Sequence, residues 1–272
     1  ELLLGGMTLE EKIHQMAGDS VFPGDGVWRV PGVERLDLPG IGMVDGPRGV
    51  SGLTGPATAF PVGIGRGASW DPELERRIGS AIGLEVDARH ADVLLAPTVN
   101  VLRHPRWGRS QETYGEDPVH IGIMGTAFVQ GVQEHVAASV KHFAANSIED
   151  TRFDVDVQID EAVLREVYLP HFRRIIQQGG AASVMSAYNS VNGSFAGENR
   201  HLLRDILKHD WGFRGFVESD WVWGTHDTLA SIDAGLDIEM PVPIIYGDDL
   251  LAAVESGDVQ PSLIDDAVRR IV

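Results

Sequence analysis

An acidic residue beside a tryptophan, Asp220-Trp221, ends a short apolar run that begins at Phe216. A buried strand that stops there would place a fixed carboxylate and a flat apolar ring together at the mouth of a sheet or barrel. Such a pair suits sugar chemistry, because a carboxylate can attack an anomeric carbon and an aromatic ring can pack on the C–H face of the sugar. The structural alternative is that Asp220 caps the next helix while Trp221 lies in the core.

Other candidate polar residues have the same placement, since each follows a short apolar, strand-like run. They are Asp45, Asn100, Lys141, His142, Tyr188 and Glu239. In a barrel of parallel strands the carboxyl ends of the strands meet at one face, where active sites are built. We therefore expect these side chains to lie around the same mouth as Asp220.

Lys141 also allows a different chemistry. A lysine at a strand end can form a Schiff base with a carbonyl substrate, as in barrel aldolases, and His142 could then move protons. The structural alternative is a lysine paired with a carboxylate of the barrel. The residues alone leave both open.

A loop rich in arginine lies between the predicted second strand and the helix that follows it. Arg103, Arg106 and Arg109 stand among Pro and Gly residues, and Glu112 and Glu116 come shortly after them. Guanidinium groups can hold vicinal hydroxyls or carboxylates in fixed geometry. We expect some of the three to serve only in Arg–Glu pairs that hold the loop together.

Strand-like and helix-like patterns alternate along the chain. The predicted strands are residues 41–45, 93–96, 137–140 and 183–186 and the run from Phe216, and the predicted helices follow Thr8, Asp71, Asp117, Asp160 and Asn199 and fill most of residues 248–272. This alternation indicates parallel βα units, and about seven or eight strands fit the length. The sequence therefore predicts an α/β fold, a (β/α)8 TIM-barrel-like single domain.

Composition excludes several classes of partner. The 272 residues carry a formal net charge of −18, which disfavours nucleic acid and anionic membrane surfaces. The chain has no cysteine, so it has no thiolate ligand or nucleophile. No apolar run approaches a membrane span, and the start lacks a basic segment typical of a signal peptide. We expect a soluble protein, secreted or cytoplasmic.

Neither a cofactor nor a metal is expected. Residues 63–68 match G-x-G-x-x-A, but the predicted helix starts later, at Asp71, whose charge would repel a pyrophosphate. The ten histidines form no pair with the spacing of metal ligands on a helix.

Several segments together resemble glycoside hydrolase family 3, the β-glucosidase-like group, in order and in spacing. The segments are Met7–Lys12, Asp45–Val50, Pro105–Arg109, Tyr114–Pro118, Lys141–Phe143, Met185–Asn189, Ser219–Trp221 and Ala234–Pro241. The resemblance runs over nearly the whole chain and implies the N-terminal barrel domain of the family for residues 1–272. It implies a retaining exo-β-glycosidase, a β-glucosidase acting on terminal β-D-glucosyl residues, without a cofactor.

The resemblance also implies roles for individual residues. Asp220 corresponds to the nucleophile that forms a covalent glycosyl-enzyme. Asp45, Arg109, Lys141 and His142 would surround the hydroxyls of the terminal sugar. Tyr188 would lie near the nucleophile, and Trp221 would form part of the wall around the sugar.

The general acid/base is harder to place. The family's usual arrangement puts a glutamate in a second domain after the barrel, and some single-domain relatives use a histidine in the loop after Lys-His-Phe. Residues 144–152 contain no histidine. We therefore expect a fragment or one part of a split enzyme, whose second domain or chain supplies the acid. The alternative is a sugar-binding barrel that is catalytically incomplete.

Glu218 departs from the family pattern, which usually has an apolar residue there. It stands two residues before Asp220, so in a regular strand both side chains point the same way. Two close carboxylates would raise the pKa of one of them. A salt bridge from Glu218 to an arginine is the alternative.

Overall fold

Six strands form one curved sheet in the computed structural model, which describes residues 2–52 and 55–272. Their order in the sheet is the same as their order in the chain. The strand numbers skip three small strands that form a second sheet, described below. They are β1 (Trp28–Val30), β2 (Ile41–Asp45), β3 (Val93–Leu95), β4 (Ala137–Phe143), β6 (Ser183–Ser186) and β9 (Phe216–Glu218). All neighbours are parallel except β1, which runs antiparallel to β2.

Two further extended segments, residues 16–19 and 237–240, close the sheet into a ring. Ile238 bridges Glu218 of β9 in parallel, and Ala17 bridges Glu239. The Asp19 amide then donates to the Arg29 carbonyl of β1 at 3.0 Å. Together with the six strands, these two segments give eight extended segments around a closed barrel, as the sequence predicts.

Helices cover the outside of the ring. The α-helices are α1 (Leu2–Gly6), α2 (Leu9–His14), α3 (Gly63–Gly67), α4 (Pro72–Asp87), α5 (Pro118–Val132), α6 (Glu161–Val163), α7 (Pro170–Arg174), α8 (Thr228–Ala234), α9 (Asp248–Ser256) and α10 (Pro261–Ile271). Helical turns with wider, π-type winding cover Leu164–Tyr168, Ile175–Gly179 and His201–Asp210, and 3-10 turns cover Glu34–Leu36 and Ala196–Glu198. Within the described residues no helix is long and apolar enough to span a membrane.

The helix starts that the sequence indicates are confirmed. Thr8 and Glu11 form a capping box, and Asp71 accepts a hydrogen bond from the Leu74 amide at 3.0 Å. Asp117 accepts one from the Val119 amide at 2.8 Å. Each cap satisfies an amide that has no partner within its own helix.

Close packing of α4 on α5 requires residues without a side chain. A Cβ on Gly79 would lie 2.4 Å from the Phe128 carbonyl oxygen, and one on Gly131 would lie 2.0 Å from the Arg76 carbonyl oxygen. The two helices therefore approach backbone to backbone. In the sheet beneath them, Met43, Leu94 and Val140 are fully buried.

The structure corrects the predicted regularity in two places. Strand β1 was not predicted, and its antiparallel direction breaks the all-parallel barrel. Among the described residues, the connections from 16–19 to β1 and from β1 to β2 contain no α-helix. The long helix predicted from Asp160, with a kink near Pro170, is divided at Leu169, where α7 begins with Pro170.

A small second sheet holds two loops at the carboxyl end of the barrel. Strand β5 (Asp156–Val157) pairs with β7 (Ser190–Val191), which pairs with β8 (Ser194–Phe195). The sheet thus joins the loop after β4 to the loop after β6 above the barrel mouth.

Candidate active site

A cavity of about 220 Å³ opens at the carboxyl ends of the barrel strands. Most of the residues that the sequence indicated as candidates line it. Its polar and aromatic lining consists of Trp28, Asp45, Arg109, Lys141, His142, Arg152, Tyr188, Asp220 and Trp221. The barrel topology therefore brings Asp45, Arg109, Lys141, His142, Tyr188, Asp220 and Trp221 together, although they come from five different segments of the chain.

Asp220 lies two residues beyond β9 and is only 7% exposed. Its Oδ1 accepts a hydrogen bond from the Trp221 amide at 2.8 Å. Its Oδ2 is buried and has no hydrogen-bond partner among the described residues. Burial raises the pKa of Asp220, and the positive charges of Arg109 and Lys141 oppose that shift. One carboxylate oxygen is thus fixed by the backbone, while the other, beside the cavity, has no hydrogen-bond partner among the described residues.

Lys141 forms an ion pair across the cavity. Its Nζ lies 2.5 Å from Oδ1 of Asp45, which ends β2. Lys141 is buried, whereas the Asp45 side chain is 42% exposed. The pair therefore presents a cationic donor and an anionic acceptor side by side, which is suited to neighbouring hydroxyl groups.

His142 is held by Asn100 at three points. The Asn100 Oδ1 accepts from the His142 amide at 3.0 Å and lies 3.2 Å from Nδ1, and the Asn100 amide donates to the His142 carbonyl at 2.8 Å. Asn100 does not line the cavity; it orients a residue that does. Asn100 can take this position because the Val99 amide bonds to the Lys141 carbonyl at 2.8 Å.

The tautomer of His142 follows from its partners. Arg109 can only donate, and its NH1 lies 2.9 Å from Nε2, so Nε2 accepts and Nδ1 carries the proton toward Asn100. Burial, followed by the charges of Arg109, Lys141 and Arg152, holds the pKa of His142 well below its usual value. The 3.7 Å between Nε2 and Oδ2 of Asp220 is therefore a contact of two acceptors, not an ion pair.

Arg109 is the arginine of its loop that reaches the cavity. Glu112 holds it through two bonds, at 2.9 Å to Nε and 2.8 Å to NH2. Arg103 instead stacks on Tyr168 at 5.6 Å from the ring centroid, and Arg106 is exposed. The expectation that some of these arginines serve only in Arg–Glu pairs is wrong for the described residues, because Arg103 and Arg106 form no ion pair with a glutamate there and Arg109 combines the Glu112 pair with a place in the cavity.

Aromatic rings form the remaining wall. Trp221 packs edge-to-face on Trp28, with ring centroids 5.3 Å apart. The Tyr188 hydroxyl donates to the Trp221 carbonyl at 2.8 Å, and burial, then the charge of Asp220, raises the pKa of Tyr188. Arg152 lies over the Tyr188 ring at 4.6 Å.

Two lining residues were missed from the sequence. Trp28 belongs to the unpredicted strand β1. Arg152 lies in the loop after Lys141-His142-Phe143, where Glu149 pairs with it at 2.8 Å. The i, i+3 spacing of Glu149 and Arg152 was the available signal.

Glu239 differs from expectation. It was predicted at the mouth, but it is buried and accepts from the amides of Ile245 and Tyr246 at 3.1 and 2.8 Å. Tyr246 is itself 2% exposed, and its hydroxyl donates to the Leu236 carbonyl.

Glu218 points into the barrel interior, below the cavity. Ser139 and Ser183 donate to its Oε1, and no arginine pairs with it in the described part of the chain, so the salt-bridge alternative is wrong. Burial raises its pKa to about 7, while the serine hydrogen bonds and Lys141 act in the other direction. Desolvation, not a neighbouring carboxylate, is the main cause of the shift.

A larger cavity of about 390 Å³ adjoins the first and shares Asp45 and Arg109 with it. Asp220 does not line this second cavity. Within residues 2–52 and 55–272, no group of three or more His, Asp or Glu side chains is placed to hold a metal ion. We therefore take the smaller cavity, with its carboxylate, cations and indole rings, as the candidate active site.

A barrel whose mouth combines a buried carboxylate, an ion pair able to hydrogen-bond to hydroxyl groups and indole rings has the features of a carbohydrate-processing site. The family model of the glycosyl hydrolase family 3 N terminal domain matches residues 29–272, so the chain belongs to this family of glycoside hydrolases. This confirms the family and the barrel fold that the sequence motifs indicate.

Similar proteins include enzymes named for more than one specificity. The chain is 43% identical to a beta-glucosidase of Rhizobium radiobacter over 99% of its own length and 33% of the relative's. It is 39% identical to an exo-alpha-(1->6)-L-arabinopyranosidase of Bifidobacterium breve, over 95% of this chain and 35% of that one. The chain thus spans about a third of the length of these curated relatives.

A solved structure shows the same fold. Beta-glucosidase 3B of Thermotoga neapolitana in complex with glucose superposes with a TM-score of 0.95 at 36% identity, covering 99% of this chain and 41% of that one.

The neutral His142 can be checked directly. We predict that nitrogen-15 NMR finds its ring uncharged and protonated on Nδ1 from about pH 5.5 to 8, because burial and three cations oppose a further charge. Exposed His209 supplies a solvent-accessible ring for reference. A His142 ring that takes up a proton in this range, or carries its proton on Nε2, would contradict the arrangement.

Proposed function

We propose that this chain forms the sugar-binding and nucleophile-bearing part of a retaining exo-β-glycosidase that acts on terminal β-D-glucosyl residues. The observation that carries the proposal is the buried Oδ2 of Asp220, which has no protein partner in the described chain and faces a cavity lined by hydroxyl-binding pairs and indole rings. The 43% identity to a beta-glucosidase supports the choice of sugar.

The reaction would begin with attack of Asp220 Oδ2 on the anomeric carbon. The bond from the anomeric carbon to the leaving oxygen breaks as the bond to Oδ2 forms, and the leaving oxygen takes a proton from a general acid. Water, deprotonated by the same group, then releases the sugar. The Trp221 amide, 2.8 Å from Oδ1, would keep the carboxylate oriented through both steps.

The surrounding residues would bind the hydroxyls of the sugar. Asp45 and Lys141 offer an acceptor and a donor next to each other, and Arg109 offers a second cationic donor. His142 accepts from Arg109 and so fixes the direction of that guanidinium. Trp221 and Trp28 would pack on the apolar face of the ring.

The size of the cavity supports exo action. Its volume of about 220 Å³ is below the ~300–1,000 Å³ of typical pockets for drug-sized ligands. One sugar ring is a better match than a chain of several, so cleavage would occur after the terminal residue.

We further propose that a second domain or chain supplies the general acid/base. In its support, the chain spans about a third of the length of its curated relatives. The carboxylates that line the cavity are Asp45, which is paired with Lys141, and Asp220. Glu149 is the candidate within this chain, because it pairs with the cavity residue Arg152, whereas Asp150 is exposed.

The Schiff-base alternative receives no support. Lys141 is engaged with Asp45 at 2.5 Å, and family membership favours a role for it as a hydroxyl ligand. The second candidate function is a sugar-binding barrel without turnover. This binding function is favoured because no general acid is identified among the described residues at the cavity.

Replacing the nucleophile tests the proposal. Asp220→Asn should slow dinitrophenolate release from 2,4-dinitrophenyl β-D-glucoside by about 10³-fold or more, because the amide cannot form the glycosyl-enzyme. Asp37→Asn, an exposed change at a residue with φ of 54°, is the matched control and should retain full activity. Equal activity of the two variants would refute Asp220 as nucleophile.

A comparison of leaving groups separates the two candidate functions. If the acid lies outside this chain, hydrolysis of alkyl β-glucosides should fall about 10²–10⁴-fold behind a complete enzyme, and activated aryl glucosides should lose much less. Glucose binding with no cleavage of either substrate would favour the binding barrel. Full alkyl-glucosidase activity would place the acid within this chain, and Glu149→Gln would then be the first variant to measure.

A further inference from the structure

A polar layer lies directly below the active-site cavity, where a barrel interior is normally apolar. On β4, Ser139 precedes Lys141 by two residues, and on β9, Glu218 precedes Asp220 by two. Because side chains alternate along a strand, each lower residue shares its face with the residue above it. Ser183 on β6 completes the lower layer by bonding to Glu218.

Glu218 is fully buried, and its two carboxyl oxygens differ in their hydrogen bonding. Oε1 accepts hydrogen bonds from the hydroxyls of Ser139 and Ser183, the latter at 3.3 Å. Oε2 is buried with no partner in the described part of the chain. A carboxyl group placed this way costs folding free energy relative to an apolar side chain of similar size. A contribution to stability therefore does not explain why this residue is a glutamate.

The charges around Glu218 belong to the active site. Lys141 faces it from β4, and Asp220 stands above it on its own strand. The neighbouring extended segment, residues 237–240, carries Asp237 and Glu239. Asp237 pairs with Lys208 at 2.7 Å, however, and Glu239 accepts hydrogen bonds from backbone amides. From β6 it meets Ser183 and Met185, which are uncharged.

We propose that Glu218, which lies below the cavity and does not contact the sugar, adds a negative charge beside Lys141 and Asp220 that favours the positively charged transition state. This role rests on the proposed function. The transition state of glycoside cleavage resembles an oxocarbenium ion, so an additional buried anion stabilises it more than the neutral ground state. The same anion below Lys141 balances the cationic side of the cavity.

The charge state of Glu218 changes near neutrality. Burial raises the pKa of Glu218 to about 7, so the group is neutral in acid and ionised in mild alkali. Formation of the glycosyl-enzyme should therefore speed up as Glu218 ionises through this range, in addition to the rise that ionisation of Asp220 itself produces. At an effective interior dielectric constant of about 20, a charge one layer away implies roughly a threefold to thirtyfold step.

The test compares three forms of the chain with one reagent. The rate constant for labelling by 2,4-dinitrophenyl 2-deoxy-2-fluoro-β-D-glucoside is measured from about pH 5 to pH 9 for wild type, Glu218→Gln and Glu75→Gln. In Glu218→Gln the side-chain oxygen can still accept from both serines, but the group cannot ionise. Glu75 is the matched control, a buried glutamate with a raised pKa that bonds to Tyr114 and lies outside the cavity.

The expected result is that the labelling rate constant of wild type and of Glu75→Gln rises near neutral pH, and that this rise is absent in Glu218→Gln. The curves should agree in acid, where Glu218 is neutral. Parallel curves for wild type and Glu218→Gln would overturn the role of Glu218 and leave the proposed function intact. No labelling of wild type at any pH would overturn the proposed function, and this role with it.

A second variant keeps the inference testable if Glu218→Gln does not fold. Ser183→Ala removes a hydrogen bond that lowers the pKa of Glu218. The rise in the labelling rate constant near neutral pH should therefore move to higher pH. A merely structural serine would lower stability without moving the step. An unmoved step in a folded Ser183→Ala would count against Glu218 as its origin.

Discussion

Closure of the barrel is the constraint on which the rest of this structure depends. Residues 237–240 bond to β9 on one side and to residues 16–19 on the other, and the latter reach β1. A closed ring has no free strand edge, and it aligns the carboxyl ends of its parallel strands on one rim. Asp45, Lys141 and Asp220 therefore meet although about 175 positions of sequence separate the first from the last.

Buried charge is the cost of this arrangement, and pairing offsets it. Lys141 has Asp45, Arg109 has Glu112, and Arg152 has Glu149. Asp220 has no such direct ion pair with an arginine or lysine in the described chain, and burial raises its pKa. The site thus places its least compensated carboxylate where a ligand can reach it, while His142 stays neutral and adds no competing charge. Desolvated groups of this kind often mark functional sites.

The sequence predicts those parts of the fold that depend on local pattern. Caps at Thr8, Asp71 and Asp117 mark helix starts because a side-chain oxygen satisfies amides within a few residues. The βα alternation predicts the barrel, and the polar residues at the strand ends predict most of the cavity lining. Strand β1 was not predicted, since three residues paired with a distant segment carry little local signal. Trp28 was missed from the site for that reason.

Contacts between distant segments decide what pattern alone leaves open. The sequence could not tell whether Glu218 pairs with an arginine, because its partners, Ser139 and Ser183, come from two other strands. It could not separate Glu239 from the mouth residues either, since the loop of Ile245 and Tyr246 folds back to occupy that carboxylate. The role of Arg109 beside His142 depends likewise on the position of Asn100.

The most direct test of Asp220 as nucleophile is the location of a trapped sugar. The chain is treated with 2,4-dinitrophenyl 2-deoxy-2-fluoro-β-D-glucoside, digested, and mapped by mass spectrometry. If the Asp220 carboxylate attacks the anomeric carbon, the fluoroglucosyl group is found on the peptide that contains Ser219-Asp220-Trp221, and on Asp220 within it. A label on another residue, such as Glu149 or Glu218, would contradict that assignment.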